Sequence, residues 1–150
     1  MTKLNRIAFI GNSLPRRCGI ATFTTDLQQA VSLSRADIES SIVAMTDHGQ
    51  AYDYPPIVSL EIDDGRLEDY ERAADFLNAG QFDVVCLQHE FGIFGGEAGG
   101  HILALLTRLN MPIVTTLHTV LLAPTPAQRS VLSRIIDVST RVVVLSLIHI

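Results

Sequence analysis

The sequence predicts an α/β domain of Rossmann-like type: a mostly parallel sheet with helices on both faces. Three observations carry that expectation. Short runs of Val, Ile, Leu and Phe alternate along the chain with longer segments whose apolar residues recur at helical spacing. The connections between successive strands are mostly long enough for a crossover helix, and a crossover implies parallel neighbours. Finally, the first apolar run, Arg6–Ile10, passes through a loop with Gly11, Pro15, Arg16, Arg17 and Gly19 straight into a helical pattern. Such a unit sets backbone N–H groups and a positive helix end at the rim of a sheet.

Each element follows from its local pattern. After the strand Arg6–Ile10, a helix over about Ile20–Leu33 places Ile20, Phe23, Leu27, Ala30 and Val31 on one face. A second strand covers Ser40–Ala44. A third, Ile57–Ile62, alternates apolar and polar residues, as an edge or half-exposed strand does. A helix over about Leu67–Asn78 presents Leu67, Tyr70, Ala73, Ala74 and Leu77, with Gly80 at its C-terminal cap. The fourth strand is Val84–Gln88. A helix over about Ala98–Leu109 turns Ile102, Leu105, Leu106 and Leu109 inward, and a fifth strand is Pro112–Leu117. The loop Leu121–Pro126 leads to a helix over about Ala127–Val138, with Val131, Leu132, Ile135 and Ile136 inward, and a sixth strand is Arg141–Leu145. The near-continuous apolar character of strands one, four, five and six predicts central strands buried on both sides. No repeat, low-complexity tract or linker interrupts the pattern.

Composition narrows the function classes. A chain of 150 residues, 47% apolar and 18% charged, fits one packed domain. A net charge of −5 with no basic face argues against nucleic-acid binding. Cys18 and Cys86 share no C-x-x-C spacing, which predicts neither a disulfide framework nor a zinc site and suits a reducing, cytoplasmic setting. The start Met1–Arg6 has no apolar h-region, so no secretory signal is expected. No apolar stretch reaches the ~18–20 residues of a membrane helix, while peripheral membrane contact stays open.

Ligands of such sheets bind outside the carboxyl ends of the strands, where the strand order reverses. That rule selects the loops after strands one, four and five. In the first, Gly19 removes a side chain at a helix start that favours an anion, and Arg17 adds charge. Phosphate binding is the functional reading; a tight strand-to-helix connection is the structural one. The loop is neither G-x-G-x-x-G nor a P-loop, because Gly11 and Gly19 are too far apart and no Gly-Lys-Ser/Thr follows. Asp47, after strand two, lies beyond the offset of about 20 residues of a nicotinamide ribose ligand and reads as a turn residue.

The second loop, Gln88-His-Glu-Phe-Gly-Ile-Phe-Gly-Gly96, sets polar groups abruptly at the end of an apolar strand. Glu90 is suited to accept hydrogen bonds from sugar hydroxyls, and Gly95 and Gly96 to let backbone approach a ligand. The structural alternatives are a helix-capping Glu90 and a core His89. In the third loop, His118 ends strand five. It is placed to donate to a sugar hydroxyl or phosphate oxygen or to stabilise developing charge, or else to hold the loop. His89, Glu90 and His118 sit on separate loops without a metal motif, so no metal is expected. His48, in a polar turn, and His101, opening a helix, carry no functional reading.

Three segments, Leu14-Pro-Arg-Arg-Cys-Gly-Ile-Ala-Thr-Phe23, Leu87–Gly96 and Thr116-Leu-His-Thr119, resemble the N-terminal domain of glycosyltransferase family 4, also called group 1. The resemblance reaches to about Val144. It implies a GT-B-type enzyme of two Rossmann-like domains, which transfers a sugar from a nucleotide sugar to an acceptor hydroxyl with retention and without a metal or other cofactor. By position, Gly19 would face the donor diphosphate, His118 would match the histidine near the transferred sugar, and His89 and Glu90 would line the acceptor side. Many relatives have Gly-Gly where this chain has Cys18-Gly19. The acceptor-side domain would span residues 1–144, and the acceptor would be a sugar, lipid or polysaccharide.

Leu145–Ile150 resembles the translation of a transposon adaptor used in sequencing libraries. Residues 145–150 therefore read as a non-native tail, with an ordinary sixth strand that extends as the alternative, on a chain truncated before its C-terminal domain and inactive alone. Two alternatives accompany this reading: a nicotinamide-dinucleotide-binding domain of an oxidoreductase, and a non-catalytic sugar- or nucleotide-binding module.

Overall fold

Six strands make one sheet in the computed structural model, which describes residues 3–145. They are β1 (Arg6–Gly11), β2 (Glu39–Thr46), β3 (Val58–Asp63), β4 (Val84–His89), β5 (Ile113–Leu117) and β6 (Arg141–Val144). Their order is β3-β2-β1-β4-β5-β6, with every pairing parallel. Four helices connect them: α1 (Gly19–Ser34), α2 (Leu67–Ala79), α3 (Ile102–Leu106) and α4 (Pro126–Val138). The α/β, Rossmann-like class expected from the sequence is the class observed. Because β1 lies between β2 and β4, the strand order reverses at β1, and the crevice beyond β1 and β4 is the place this architecture reserves for a ligand.

Side-chain alternation divides the interior into two layers. From β1, Ile7 and Phe9 pack with Ile42 and Ala44 of β2 and with Leu27 and Val31 of α1. Ala8 and Ile10 turn the other way, to Val43, Met45, Val85 and Leu87 and to α2, α3 and α4 through Tyr70, Leu77, Ile102, Leu105 and Ile135. The register sets Phe9 level with Ile42 and Cys86, and Ile10 level with Val43 and Leu87, so each layer runs unbroken across the central strands. Truncating a buried aromatic such as Phe9 costs about 3–5 kcal/mol in such a layer.

The structure corrects the pattern reading in several places. β6 is an edge strand, not a central one: Val142, Val143 and Val144 are exposed. An apolar run shows that a strand can be covered; it does not show what covers it. On α1 the buried residues are Ala21, Thr24, Thr25 and Gln28, while Ala30 is exposed and Phe23, Leu27 and Val31 are half-buried. Small and polar side chains let α1 approach the sheet closely. Gln28 donates to Ser32 and Ser40 hydroxyls at 2.8 and 2.9 Å, which satisfies its buried amide. The apolar stripe of α1 also borders a cavity of about 330 Å³ over β1, β4, β5 and β6, lined by Phe9, Phe23, Leu27, Cys86, Gln88 and Val143 among others.

Helix α3 begins four residues later than the periodicity predicts, at Ile102 instead of Ala98. A 3-10 turn at Glu97–Gly99 precedes it, with Ala98 at φ 52° and Gly99 at φ 74°. Those left-handed residues interrupt helical hydrogen bonding. At the end of α2, Gly80 is the C-cap as expected, donating its N–H to Phe76 O at 2.9 Å, but the left-handed residue is Gln81 beyond it, at φ 54°. Leu67 and Ile136, both expected inward, are exposed. Helix α4 starts at Pro126 behind a reciprocal cap. Thr125 Oγ1 accepts from Gln128 N–H at 3.1 Å, and Gln128 Oε1 accepts from Thr125 N–H at 2.9 Å. Leu145 N–H extends the β5–β6 ladder to Leu117 O at 3.4 Å. Residues 146–150 of the expected tail lie outside the described residues.

Candidate active site

The loop after β1 is built by its own side chains. Cys18 is the N-cap of α1, and its Sγ accepts from Ala21 N–H at 3.4 Å and from Asn12 Nδ2 at 3.3 Å. Asn12 Oδ1 accepts from Arg16 at 2.9 Å, and Arg16 also pairs with Asp47 at 2.8 Å. Tyr52 donates to the same Asp47 carboxylate at 2.9 Å. Arg16 and Asp47 thus brace the loop, and the Asp47 carboxylate is engaged by the protein's own side chains. Arg17 is exposed and makes no ion pair among the described residues.

Gly19 opens the helix into empty space: a Cβ added there would meet nothing within 4 Å. The N–H groups of Gly19 and Ile20 donate to nothing among the described residues, since the first intrahelical bond runs from Thr22 to Cys18 O at 3.2 Å. Two unpaired donors and the positive helix end face the rim together.

The loops after β4 and β5 are joined. His118 N–H donates to His89 O at 3.0 Å, and His118 Nε2 lies 2.9 Å from Gln88 Oε1. The His118 ring meets Phe23 of α1 edge-on, with centroids 4.6 Å apart. Thr119 Oγ1 donates to Glu90 Oε2, while Glu90 Oε1 accepts from Phe91 N–H at 2.9 Å. The fold therefore brings Gly19, Glu90 and His118 to one end of the sheet, through α1, β4 and β5.

His89 is placed differently. Its ring has no exposed surface and is packed against Phe91 and Phe94, with centroids 4.9 and 5.9 Å away. Both ring nitrogens are buried without a partner. Burial pushes its pKa down to about 4, against the opposing pull of Glu90. His118 is also held below the ordinary histidine value by burial, with Glu90 again opposing. Both imidazoles are neutral at pH 7.

Gly95 and Gly96 meet the chain itself. A Cβ on Gly95 would lie 1.9 Å from Asp64 O, and one on Gly96 2.5 Å from the His101 ring. Gly95 N–H donates to Tyr70 Oη, which donates to Asp64 O, each at 3.0 Å. Gly96 also requires φ 79°. These glycines tie the loop to the start of α2. His48 pairs with Asp63 at 2.9 Å.

Sequence reasoning passed over Gln88, Phe23 and Thr119 as site residues. Gln88 carried a visible signal, a polar residue closing an apolar strand; Phe23 and Thr119 carried none beyond their neighbours. Among the described residues no group of three His, Cys, Asp or Glu side chains is arranged to hold a metal.

No family model matches the chain, and no curated protein matches it. Solved structures do. One is an alpha-glucosyltransferase in complex with UDP and a 13-mer DNA containing an HMU base, at a TM-score of 0.61 and 13% identity over 95% of this chain and 38% of that one. Another is an alpha-glucosyltransferase in complex with UDP and a 13-mer DNA containing a central A:G mismatch, at a TM-score of 0.58 and 13% identity over 95% and 40%. The likeness shows the fold. This Rossmann-like architecture is one these glucosyltransferases share, and the chain spans less than half their length. No helix among the described residues is long and apolar enough to cross a membrane.

Proposed function

We propose that this chain is the N-terminal, acceptor-side half of a retaining, nucleotide-sugar-dependent glycosyltransferase of the family 4 type. The observation that carries the reading is the convergence at one sheet end of an open helix start at Gly19 and an anchored His118. It occurs in a fold shared with glucosyltransferases that bind UDP. The family and the retaining outcome rest on the sequence resemblance at residues 14–23, 87–96 and 116–119.

In this reading the free N–H groups of Gly19 and Ile20, with Arg17 beside them, hold the donor diphosphate. Their attraction grows as negative charge develops on the leaving group, and that differential makes the contact catalytic. His118 meets the sugar near its transferred carbon. Glu90, held by Thr119, and the loop through Gly95 and Gly96 shape the acceptor side, with the buried His89 supporting them from beneath. The donor is a substrate, and the mechanism calls on no metal or other cofactor. A second domain supplies most of the nucleotide contacts, and this half alone is inactive. The acceptor is a sugar, lipid or polysaccharide hydroxyl; a net charge of −5 disfavours nucleic acid, whatever the two glucosyltransferases hold.

The test is to express the chain joined to the sequence that follows it in its source genome, supply labelled nucleotide sugars, and follow nucleoside diphosphate release. Turnover with an α-linked product from an α-linked donor supports the proposal. Absence of turnover together with micromolar NAD(H) binding would replace it with the oxidoreductase reading. Sugar-nucleotide binding without turnover would replace it with the non-catalytic module.

A further inference from the structure

The side-chain amide of Gln88 has two ends in different surroundings. Its Oε1 lies 2.9 Å from His118 Nε2. Its Nε2 is buried with no partner, on a residue that lines the apolar cavity beside α1. A buried unpaired amide works against stability, so packing gives no reason for a glutamine here.

An amide oxygen can only accept a hydrogen bond, so the ring atom facing it carries the proton. A neutral imidazole has one N–H, which leaves His118 Nδ1 with a lone pair. Nδ1 has no partner among the described residues, and His118 is only half-buried. Two contacts orient the ring, the bond to Gln88 and the edge contact with Phe23, on a backbone held by the bond from His118 N–H to His89 O.

We propose that Gln88 is a positioning residue that holds His118 in its Nε2–H tautomer, so that the ring presents Nδ1 to the rim as a hydrogen-bond acceptor. An acceptor takes the O–H of a hydroxyl and is repelled by an unprotonated phosphate oxygen. His118 therefore recognises a sugar hydroxyl, and phosphate recognition falls to the helix start at Gly19. The hydroxyl's identity as a sugar group rests on the glycosyl-transfer reading; the tautomer does not.

The experiment is long-range ¹H–¹⁵N correlation spectroscopy of the histidine rings in the chain itself at pH 7.5, with His118→Gln to assign the resonances. The wild-type chain should show His118 with Nε2 protonated, Nδ1 unprotonated and an Nε2–H proton protected from exchange with water. Gln88→Met, of similar size but without an acceptor oxygen, should lose that protection and mix the two tautomers. Gln88→Glu retains an acceptor oxygen and should restore the protected proton. An Nδ1-protonated wild-type ring overturns the proposal without any variant. An Nε2–H signal that survives Gln88→Met in a folded protein overturns it as well. In the two-domain enzyme, Gln88→Met should lower kcat with donor KM unchanged; unchanged kcat would show that the tautomer has no part in transfer, while turnover itself would still stand.

Discussion

A neutral histidine sealed at the end of β4 makes the fold sensitive to mild acid. His89 is fully buried with both ring nitrogens unpaired, and its pKa falls from 6.5 to about 4. Between those values the unfolded chain binds a proton that the folded chain refuses, so stability rises with pH there and is lost as pH falls. One proton refused over this window corresponds to about 2 kcal/mol lost between pH 7 and pH 5, and to about 3 kcal/mol by pH 4. The carboxylates held below their usual range, Asp63 and Asp83 among them, lose their contributions mainly below about pH 5. The window from pH 7 to 5 therefore isolates histidine. The perturbation is His89→Met, which fills similar space without a titrating group. The assay is urea unfolding at half-unit pH steps, extrapolated to zero denaturant. The variant should lose about 2 kcal/mol less than wild type between pH 7 and 5. Equal losses in the two proteins would show that the native state accepts the proton, and the burial argument would fail.

Three further outcomes follow from named contacts. Gly95→Ala should destabilise by about 1–3 kcal/mol in urea unfolding, because its Cβ would lie 1.9 Å from the Asp64 carbonyl. Thr125→Ala should cost about 1 kcal/mol by removing the cap that Thr125 and Gln128 make at the start of α4; a loss within error would mean the cap is replaced by water. Gly19→Ala should raise stability by about 0.5 kcal/mol, since its Cβ meets nothing and the unfolded chain loses freedom. A clear loss of stability would show that the space at Gly19 is not open.

The fold was legible where local patterns and topology agree. The strand and helix order, the parallel pairing and the gathering of three loops at one end all follow from periodicity and the crossover rule. The misreadings have tertiary causes. On α1 the stripe is half right: Leu27 and Val31 pack on Ile7 and Phe9 but stay half-buried, while Ala21, Thr24 and Gln28 are buried, Gln28 because it finds Ser32 and Ser40 as partners. The three valines of β6 look central and stand at an edge. In the site, the strand-end rule located His118 and Glu90, but it is blind to what an individual side chain touches. His89 and Glu90 are neighbours in one polar triplet; one is sealed between phenylalanines and the other caps a turn. Gly95 and Gly96 permit close approach as expected of glycines, and what approaches is the protein's own backbone and His101. The pairing of Gln88 with His118 joins residues 30 apart in sequence and leaves no local trace.

The measurement that bears most directly on the glycosyltransferase reading is steady-state kinetics of His118→Ala and Gly19→Val in the two-domain enzyme. His118 is placed to meet the sugar, whereas most nucleotide contacts belong to the second domain. Removing one preorganised polar group typically costs about 10²–10³-fold in kcat. His118→Ala should therefore lower kcat and kcat/KM together by about that factor, with little change in donor KM. Gly19→Val puts a side chain in the path of the diphosphate and should raise donor KM as well. Near wild-type kcat in a folded His118→Ala enzyme would contradict the account and leave His118 as a structural histidine that holds its loop.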